Sequence, residues 1–165
     1  QFGRFEVRAR IQARDGLWPA IWFLGRDGQW PFNGEIDLME YYRGMILANA
    51  FWGETSRGKP AGDVVRKPLA DFNDPAWADR FHIWRMDWDE AFVRLYVDDL
   101  LLNEIDLART VQTSVRRGGP ENPFHQPHSL LLNLAIGGTA GGDPSGTDFP
   151  ARFEVDYVRV FQKSE

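Results

Sequence analysis

The chain of 165 residues has no cysteine, no excess of basic residues and no long hydrophobic run. Without cysteine it forms no disulfide and has no thiol nucleophile, and this absence leaves its compartment undecided. The formal net charge of −5, with no basic stripe, argues against nucleic acid as a partner. No apolar run approaches the roughly 20 residues that span a bilayer, so no membrane partner is expected.

Strand patterns dominate the sequence. Phe5, Val7 and Ala9 alternate with charged residues, which predicts a strand with one buried face. Further strands are predicted over residues 17–24, 34–42, 45–52, 81–88, 92–97, 100–103, 130–136 and 153–161. Only residues 107–117 favour a short helix or helical turn. Many short strands with almost no helix predict a single all-β domain over residues 1–165, built as an antiparallel sandwich of two sheets.

Some details of this sandwich also follow from the sequence. Segments 34–42 and 45–52 are expected to pair across a short turn, and segments 81–88 and 92–97 to form a hairpin. The apolar run 130–136 is typical of a strand covered on both faces. Three stretches rich in turn residues are predicted as loops that border a binding surface: 53–63, 116–127 and 139–150.

Three carboxylates lie within six residues of one predicted strand, at Glu35, Asp37 and Glu40. Residues two apart on a strand share a face, so Glu35 and Asp37 point the same way. Strict alternation would turn Glu40 to the opposite face. A β-bulge at Leu38 and Met39 would absorb one residue and return Glu40 to the face of the other two.

Crowded carboxylates repel one another, so stability alone does not explain them. An exposed edge strand with an acidic face is one alternative, but lysine is the usual edge residue and none lies between Gly34 and Tyr42. Cleavage of a glycosidic bond needs a carboxylic acid and a carboxylate on opposite sides of an acetal. We favour this chemistry, for which at least one pKa of the group must be raised.

The hexapeptide Glu-Ile-Asp-Leu-Met-Glu at residues 35–40 resembles the signature of glycoside hydrolase family 16. It has the bulged Glu-x-Asp-x-x-Glu form that laminarinases, agarases and carrageenases carry. Other segments, in the family's order, resemble its strands: 2–10, 16–22, 81–84, 96–99, 132–138 and 155–160. The resemblance covers nearly the whole chain. It implies a β-jelly roll of the concanavalin A-like class with a concave glycan-binding cleft.

The resemblance also assigns roles that the spacing leaves open. It implies that Glu35 is the nucleophile, that Glu40 is the general acid and base, and that Asp37 helps to set their protonation. Glu40 is then expected to hold a proton near neutral pH, with burial raising its pKa.

Further side chains are predicted to contact sugar: Trp18, Trp22, Trp30, Asn49, Trp52 and Asn133. Core packing is the alternative for Trp18 and Trp22, because tryptophan is found in both settings. Asn133 is suited either to a sugar contact or to a hydrogen bond with a neighbouring loop.

Asp156 matches an aspartate that ligates a structural calcium in many family members, so calcium there is an expectation from the resemblance. No cofactor is expected for catalysis. The resemblance further implies that the N-terminal strands of the family are missing from this chain. We expect sheet edges to be exposed as a result, with self-association between copies through those edges.

The function that the resemblance implies is retaining, endo-acting hydrolysis of a β-linked polysaccharide, with a β-1,3-glucan such as laminarin as the first expectation. A red-algal galactan is an alternative, and Arg43, Arg57, Lys59, Arg66 and Lys67 would supply cations for a sulfated one. A non-catalytic glycan-binding jelly roll is a third reading. The resemblance favours an extracellular or periplasmic location, although no signal-peptide pattern is found in residues 1–165.

Overall fold

The computed structural model describes residues 1–54, 59–112 and 121–163. Ten strands lie within these ranges: β1 Gly3–Arg10, β2 Leu17–Gly25, β3 Glu35–Tyr42, β4 Met45–Glu54, β5 Pro60–Pro68, β6 His82–Trp88, β7 Phe92–Val97, β8 Leu100–Asp106, β9 His128–Ile136 and β10 Glu154–Phe161. The helical elements there are the 3-10 helices Leu69–Phe72, Trp77–Asp79 and Leu107–Thr110 and the α-helix Gly138–Gly141. No helix in the described ranges is long and apolar enough to cross a membrane.

The strands form two antiparallel sheets of five strands each, as predicted. The first sheet has the order β10-β1-β6-β7-β8, and the second has the order β5-β4-β3-β2-β9. The predicted pairings of β3 with β4 and of β6 with β7 are both present. Between the sheets lies a core of fully buried side chains, among them Val7, Trp84 and Met86 of the first sheet and Ile21 and Ile36 of the second. β3 packs against this core with one of its two faces, and its other face points away from the core.

β9 is not covered on both faces, and that prediction is wrong. Leu132 and Ile136 are 39% and 54% exposed, because β9 is the edge strand of the second sheet. β10 is the edge strand of the first sheet, and its Val158 and Val160 are exposed as well. A groove of about 510 Å³ is lined by residues of β9, of β10 and of the segment just before β10. The sandwich is therefore open between these two edge strands. We call the exposed apolar surface there, which includes Leu132, Ile136, Val158 and Val160, the open apolar margin.

The loop predicted over residues 53–63 is wrong at its C-terminal end, where β5 begins at Pro60 and pairs with β4. Most residues of β5 are partly exposed on both faces, so their polarity shows no alternation that sequence analysis could detect. The helical turn predicted over 107–117 is the 3-10 helix Leu107–Thr110 in its described part. Residues 55–58 and 113–120, on which parts of these predictions fall, lie outside the described ranges.

His128 begins β9, and its ring is largely enclosed. It stacks on Phe124 at 6.0 Å between ring centroids and meets the edge of Trp88 at 5.1 Å. Nδ1 lies 3.1 Å from the carbonyl oxygen of Gln126, and buried Nε2 has no hydrogen-bond partner among the described residues. Burial lowers the pKa of His128 from 6.5 to about 4. The folded protein therefore keeps this ring neutral at neutral pH.

We expect His128 to make the fold sensitive to acid. The folded pKa lies below the unfolded one, so the neutral ring contributes fully above pH 6.5 and its contribution is lost as the pH falls toward 4. The free energy of unfolding should drop by about 3 kcal/mol between pH 7 and pH 4 from this group. Denaturant unfolding of the parent and of His128→Phe at both pH values measures the drop. An equally large drop in the variant would contradict the prediction.

Candidate active site

The β-bulge predicted at Leu38 and Met39 is present in β3. On the β4 side, Asp37 lies opposite Asn49 and Glu40 lies opposite Leu47, so two residues of β3 face a single residue of β4. Leu38 and Met39 are both fully buried in the core. The extra residue turns Glu40 back to the face that carries Asp37. One face of the second sheet therefore presents all three carboxylates.

Hydrogen bonds connect the three carboxyl groups into one cluster. The Nδ2 atom of Asn49 donates to Asp37 Oδ2 and to Glu40 Oε2, each at 3.1 Å. The indole Nε1 of Trp18 donates to Glu40 Oε1 at 2.8 Å. Glu35 is hydrogen-bonded to Asp37, and the side chain of Trp30 lies close enough to lower the pKa of Glu35. Since Asn49 is 2% exposed, its amide is committed to orienting the carboxylates.

Burial raises the pKa of Glu35, of Asp37 and of Glu40. The rise is largest at Asp37, which is 2% exposed, and the charges of Glu40 and Glu35 add to it. The hydrogen bond between Asp37 and Glu35 raises the pKa of Asp37 and lowers that of Glu35. Of the three carboxyl groups, Asp37 is therefore the one whose protonated form is favoured most by its surroundings. The raised pKa expected at Glu40 is present, whereas the larger rise at Asp37 was not predicted.

Trp18 and Trp22 lie on the carboxylate face of β2 and not in the core. Trp18 bonds Glu40, and Trp22 is the cross-strand neighbour of Asp37. The indole Nε1 of Trp22 donates to Asn133 Oδ1 of β9 at 2.7 Å, and Asn133 is exposed. The structure thus brings these three predicted residues to the carboxylate face.

Trp30 and Trp52 have different positions. Trp30 is 46% exposed, and its side chain lowers the pKa of Glu35, so an accessible indole lies beside the cluster. Trp52 lies on the core side of β4, where it packs against the core and meets Phe124 edge-on at 6.2 Å between centroids. The sugar contact predicted for Trp52 is not supported, because alternation along β4 turns it away from the face of Asn49.

Tyr42 extends the site beyond the residues that the sequence analysis selected, and Arg66 lies beside it. Tyr42 lies two residues after Glu40, and its ring meets Trp18 edge-on at 5.9 Å. Burial raises the pKa of Tyr42, as does the charge of Glu40, while a hydrogen bond from Arg66 lowers it. The spacing of two from Glu40 was the signal for Tyr42. Arg66, one of the cations named above for a sulfated galactan, lies on β5 opposite Leu47.

The residues around Asp156 do not fit a calcium ion. Asp156 pairs with Arg8, whose Nη1 lies 2.6 Å from Oδ2, so a guanidinium already neutralises the carboxylate. Within the described ranges no group of three or more histidine, cysteine or acidic side chains is arranged to hold a metal. The calcium expected from the resemblance is therefore not supported at this position.

A cavity of about 640 Å³ lies away from the carboxylates, near Arg14, Asp74 and Trp77. Asp74 is paired with Arg80, and the hydrogen bond from Arg80 lowers the pKa of Asp74. Such a carboxylate is a poor proton donor at neutral pH. The chemistry of acid and carboxylate is found on the β3 face and not in this cavity.

Comparison with known proteins identifies a family that matches this chain. The family model for glycosyl hydrolases family 16 matches residues 1–159. The chain belongs to this family. The beta-glucanase of Rhodothermus marinus is 35% identical over 176 residues, which cover 98% of this chain and 57% of that protein. A beta-1,3-glucan-binding protein of Penaeus monodon is 36% identical over 167 residues, 88% of this chain and 45% of that protein.

Solved structures of family 16 proteins share the fold. The laminarinase catalytic domain of Thermotoga petrophila RKU-1 superposes with a TM-score of 0.79 at 32% identity, over 100% of this chain and 65% of that one. A structure from work on endo-acting O-glycanases of human gut microbiota, which initiate mucin breakdown, gives 0.83 at 36% identity, over 98% and 58%. The jelly-roll prediction is confirmed. The chain spans 24% to 57% of the first three curated relatives.

Proposed function

We propose that this family 16 chain is the catalytic part of an endo-acting glycosidase that cleaves a β-1,3-glucan with retention of configuration. The observation that carries the proposal is the bulge in β3, which gathers Glu35, Asp37 and Glu40 on one face. Burial raises the pKa of all three, most strongly at Asp37, and this favours a protonated carboxyl close to a charged one, as the reaction requires. The glucanase and laminarinase relatives support the glucan as substrate class.

The proposed reaction is a double displacement. A carboxylate oxygen of Glu35 bonds to the anomeric carbon while the glycosidic C–O bond breaks, and Glu40 gives its proton to the leaving oxygen. Glu40, now a carboxylate, takes a proton from water, whose oxygen displaces Glu35 from the anomeric carbon. Asp37 keeps its proton throughout and orients Glu35 by the hydrogen bond between them.

The sugar chain is proposed to lie across the same face of the second sheet. Trp18, Trp22 and Trp30 present indole rings there, and such rings stack on the apolar faces of pyranoses. Asn49 and Asn133 supply the polar part of the surface. The proposed action is extracellular or periplasmic, because the substrate is a polysaccharide.

A polysaccharide panel tests the proposal directly. Laminarin, mixed-linkage β-glucan, agarose and carrageenan are each incubated with the chain, and released reducing ends are measured. We expect release from the β-1,3-glucan by the parent and none by Glu35→Gln. Equal release by the parent and by Glu35→Gln would overturn the mechanism.

A galactan or galactose-containing glycan is the second candidate substrate. It is favoured by the similarity to the keratan-sulfate endo-1,4-beta-galactosidase of Sphingobacterium multivorum, which is 31% identical over 167 residues. Arg66 is exposed on β5 and bonds Tyr42, so one cation does border the face. Release from agarose or carrageenan, without release from laminarin, would select this candidate.

Glycan binding without cleavage is the third candidate. The similarity to the beta-1,3-glucan-binding protein of Penaeus monodon supports it. A lectin gains little from a buried, crowded carboxylate cluster, because repulsion within the cluster costs stability. Laminarin binding with no release of reducing ends at any pH between 4 and 9 would favour this reading over the hydrolase.

We expect Trp18→Phe to move the alkaline limb of the pH profile. The hydrogen bond from Trp18 lowers the pKa of Glu40, so its removal should raise that pKa and extend activity to higher pH. The alkaline limb of the kcat/KM profile should move to higher pH. Trp22→Phe is the matched control, because the indole of Trp22 bonds Asn133 and not Glu40. A limb that moves equally in both variants would contradict the prediction.

The chain is further proposed to self-associate through its open apolar margin. Ile136 of β9 and Val160 of β10 are each more than half exposed on edge strands, which are prone to pair with other chains. Light scattering over a range of concentrations tests this, with Ile136→Lys and Val160→Lys expected to favour the monomer. A monomeric parent at high concentration would refute it.

A further inference from the structure

Phe51 lies next to the nucleophile, on the same face of the sheet. It is the cross-strand partner of Glu35 in the pairing of β3 with β4. It lies two residues after Asn49, so alternation places it on the face of the carboxylates. It is partly exposed, and it is absent from the side chains that pack against the core, whereas its neighbour Trp52 is among them.

The ring of Phe51 lies directly over Gly62 of β5. Gly62 is its cross-strand partner, and a Cβ atom added to Gly62 would lie 2.6 Å from Cδ1 and 2.8 Å from Cε1 of Phe51. Such distances are far inside van der Waals contact, so a side chain at Gly62 would displace the ring. Gly62 does not have a positive φ, and its backbone therefore does not require glycine. Glycine inside a strand weakens the strand. The close approach of the Phe51 ring is therefore the physical reason for glycine at position 62.

A second aromatic residue borders the same end of the site. Trp30 is 46% exposed, and its side chain lies close enough to Glu35 to lower the pKa of that carboxyl. Its loop is fixed to the end of β4 by a backbone hydrogen bond, in which Gly53 N donates to the carbonyl oxygen of Pro31 at 3.1 Å. Glu35 thus has a pinned phenyl ring on one side and an accessible indole close by.

We infer that Phe51, held flat by Gly62, is a sugar-stacking platform that selects a neutral pyranose at the Glu35 end of the cleft. The inference rests on the proposed function, whose substrate class it narrows. A phenyl ring offers contact to the C–H face of a pyranose and offers no hydrogen bond. Its nearest neighbours on this face of β4 and β5 are Asn49, Gly62 and Val64, and the first cation along β5, Arg66, lies two residues beyond Val64, opposite Leu47. A sulfate ester there would meet an apolar ring and the carboxylate of Glu35 without compensation.

Kinetics on neutral β-1,3-gluco-oligosaccharides test the platform. Phe51→Ala is expected to lower kcat/KM by about tenfold, the loss typical of one aromatic contact. Phe51→Leu keeps apolar volume without the flat ring and should recover only part of the loss. Gly62→Ala should raise KM several-fold, because it tilts the ring. Leu101→Ala is the control, because it truncates an exposed apolar side chain of β8 in the first sheet, away from the carboxylate face, and it should leave kcat/KM unchanged.

A double-mutant cycle separates the platform from general damage. If Gly62 acts through the ring, Gly62→Ala adds no further loss in the Phe51→Ala background. Additive losses, or unchanged kcat/KM in Phe51→Ala, would overturn the inference. Thermal unfolding of each variant shows whether the sheet is intact. A parent that cleaves a sulfated oligosaccharide better than its neutral counterpart would overturn the selection of neutral sugar.

Equilibrium binding distinguishes failure of this inference from failure of the proposed function. If the parent cleaves no polysaccharide, the hydrolase proposal fails, and binding of the neutral oligosaccharide then decides the role of Phe51. Weaker binding by Phe51→Ala and by Gly62→Ala upholds the platform in a binding protein. Unchanged binding in Phe51→Ala, or no binding by the parent, overturns it.

Discussion

Glu35→Gln is expected to lower kcat on a β-1,3-glucan by at least about 10³-fold, because an amide cannot form the glycosyl ester that the double displacement requires. Glutamine matches glutamate in size and keeps a hydrogen-bond acceptor for Asp37 and Trp30, so the fold should be retained. Unchanged thermal unfolding would show this. The matched control is Glu104→Gln. Glu104 is an exposed glutamate of β8 that pairs with Arg94, and both residues lie on the first sheet, away from the site, so this variant should leave kcat unchanged.

Glu40→Gln separates the two glutamates by their dependence on the leaving group. A dinitrophenyl glycoside needs no proton from the enzyme to leave, so Glu40→Gln should release about one equivalent of dinitrophenolate in a burst and then stall. Glu35→Gln should give no burst, since it forms no covalent intermediate. The reverse pattern would exchange the two roles.

The same roles predict the pH dependence of kcat/KM. Activity should fall in acid as Glu35 takes up a proton, and in alkali as Glu40 loses one. Burial raises both pKa values, so both limbs should lie above the usual range of glutamate. The limbs report the coupled carboxyl group as a whole. A profile limited only by a group near the normal glutamate pKa would contradict this picture.

Asn49→Asp is expected to destabilise the fold by about 3 kcal/mol or more at pH 7, because it replaces a buried donor by a fourth carboxyl. Asn49 donates to both Asp37 and Glu40, and the new group would instead repel them. Burial and this repulsion raise its folded pKa above the unfolded value of about 3.9. The penalty is therefore absent below that pH and grows as the pH rises through the folded pKa.

Denaturant unfolding of Asn49→Asp at pH 4 and pH 7 measures this penalty. Asn49→Ala is the control, since it removes the same donor and adds no titrating group, so its loss should depend much less on pH. A loss for Asn49→Asp that is the same at both pH values would show that the carboxyl groups do not interact as the distances indicate.

Most of the fold could be predicted because alternation is a local property of a half-buried strand. His82, Trp84, Met86 and Trp88 of β6 follow it, and all four are buried. The bulge in β3 could be predicted for the same reason, since Glu35, Asp37 and Glu40 share one face only if one residue is absorbed. β5 could not be found this way, because partial exposure of both faces leaves no alternating pattern.

Predictions that depended on neighbours distant in sequence were less secure. Trp52 has the composition of a sugar-binding residue, but its position on β4 turns it toward Phe124. Asp156 matches a metal ligand by motif, but Arg8 is brought beside it from the other end of the chain. Leu132 has the hydrophobicity of a covered residue, but it lies on an edge strand with an open margin.

The sequence by itself determined the sandwich of short strands, the bulged strand and the three carboxylates, because each follows from the spacing of neighbouring residues. Only the tertiary structure decided which carboxyl has the most strongly raised pKa, because that depends on burial and on partners such as Asn49 and Trp18 from other strands. It likewise decided that Phe51 lies over Gly62, since a cross-strand contact depends on register, and register is a property of the assembled sheet.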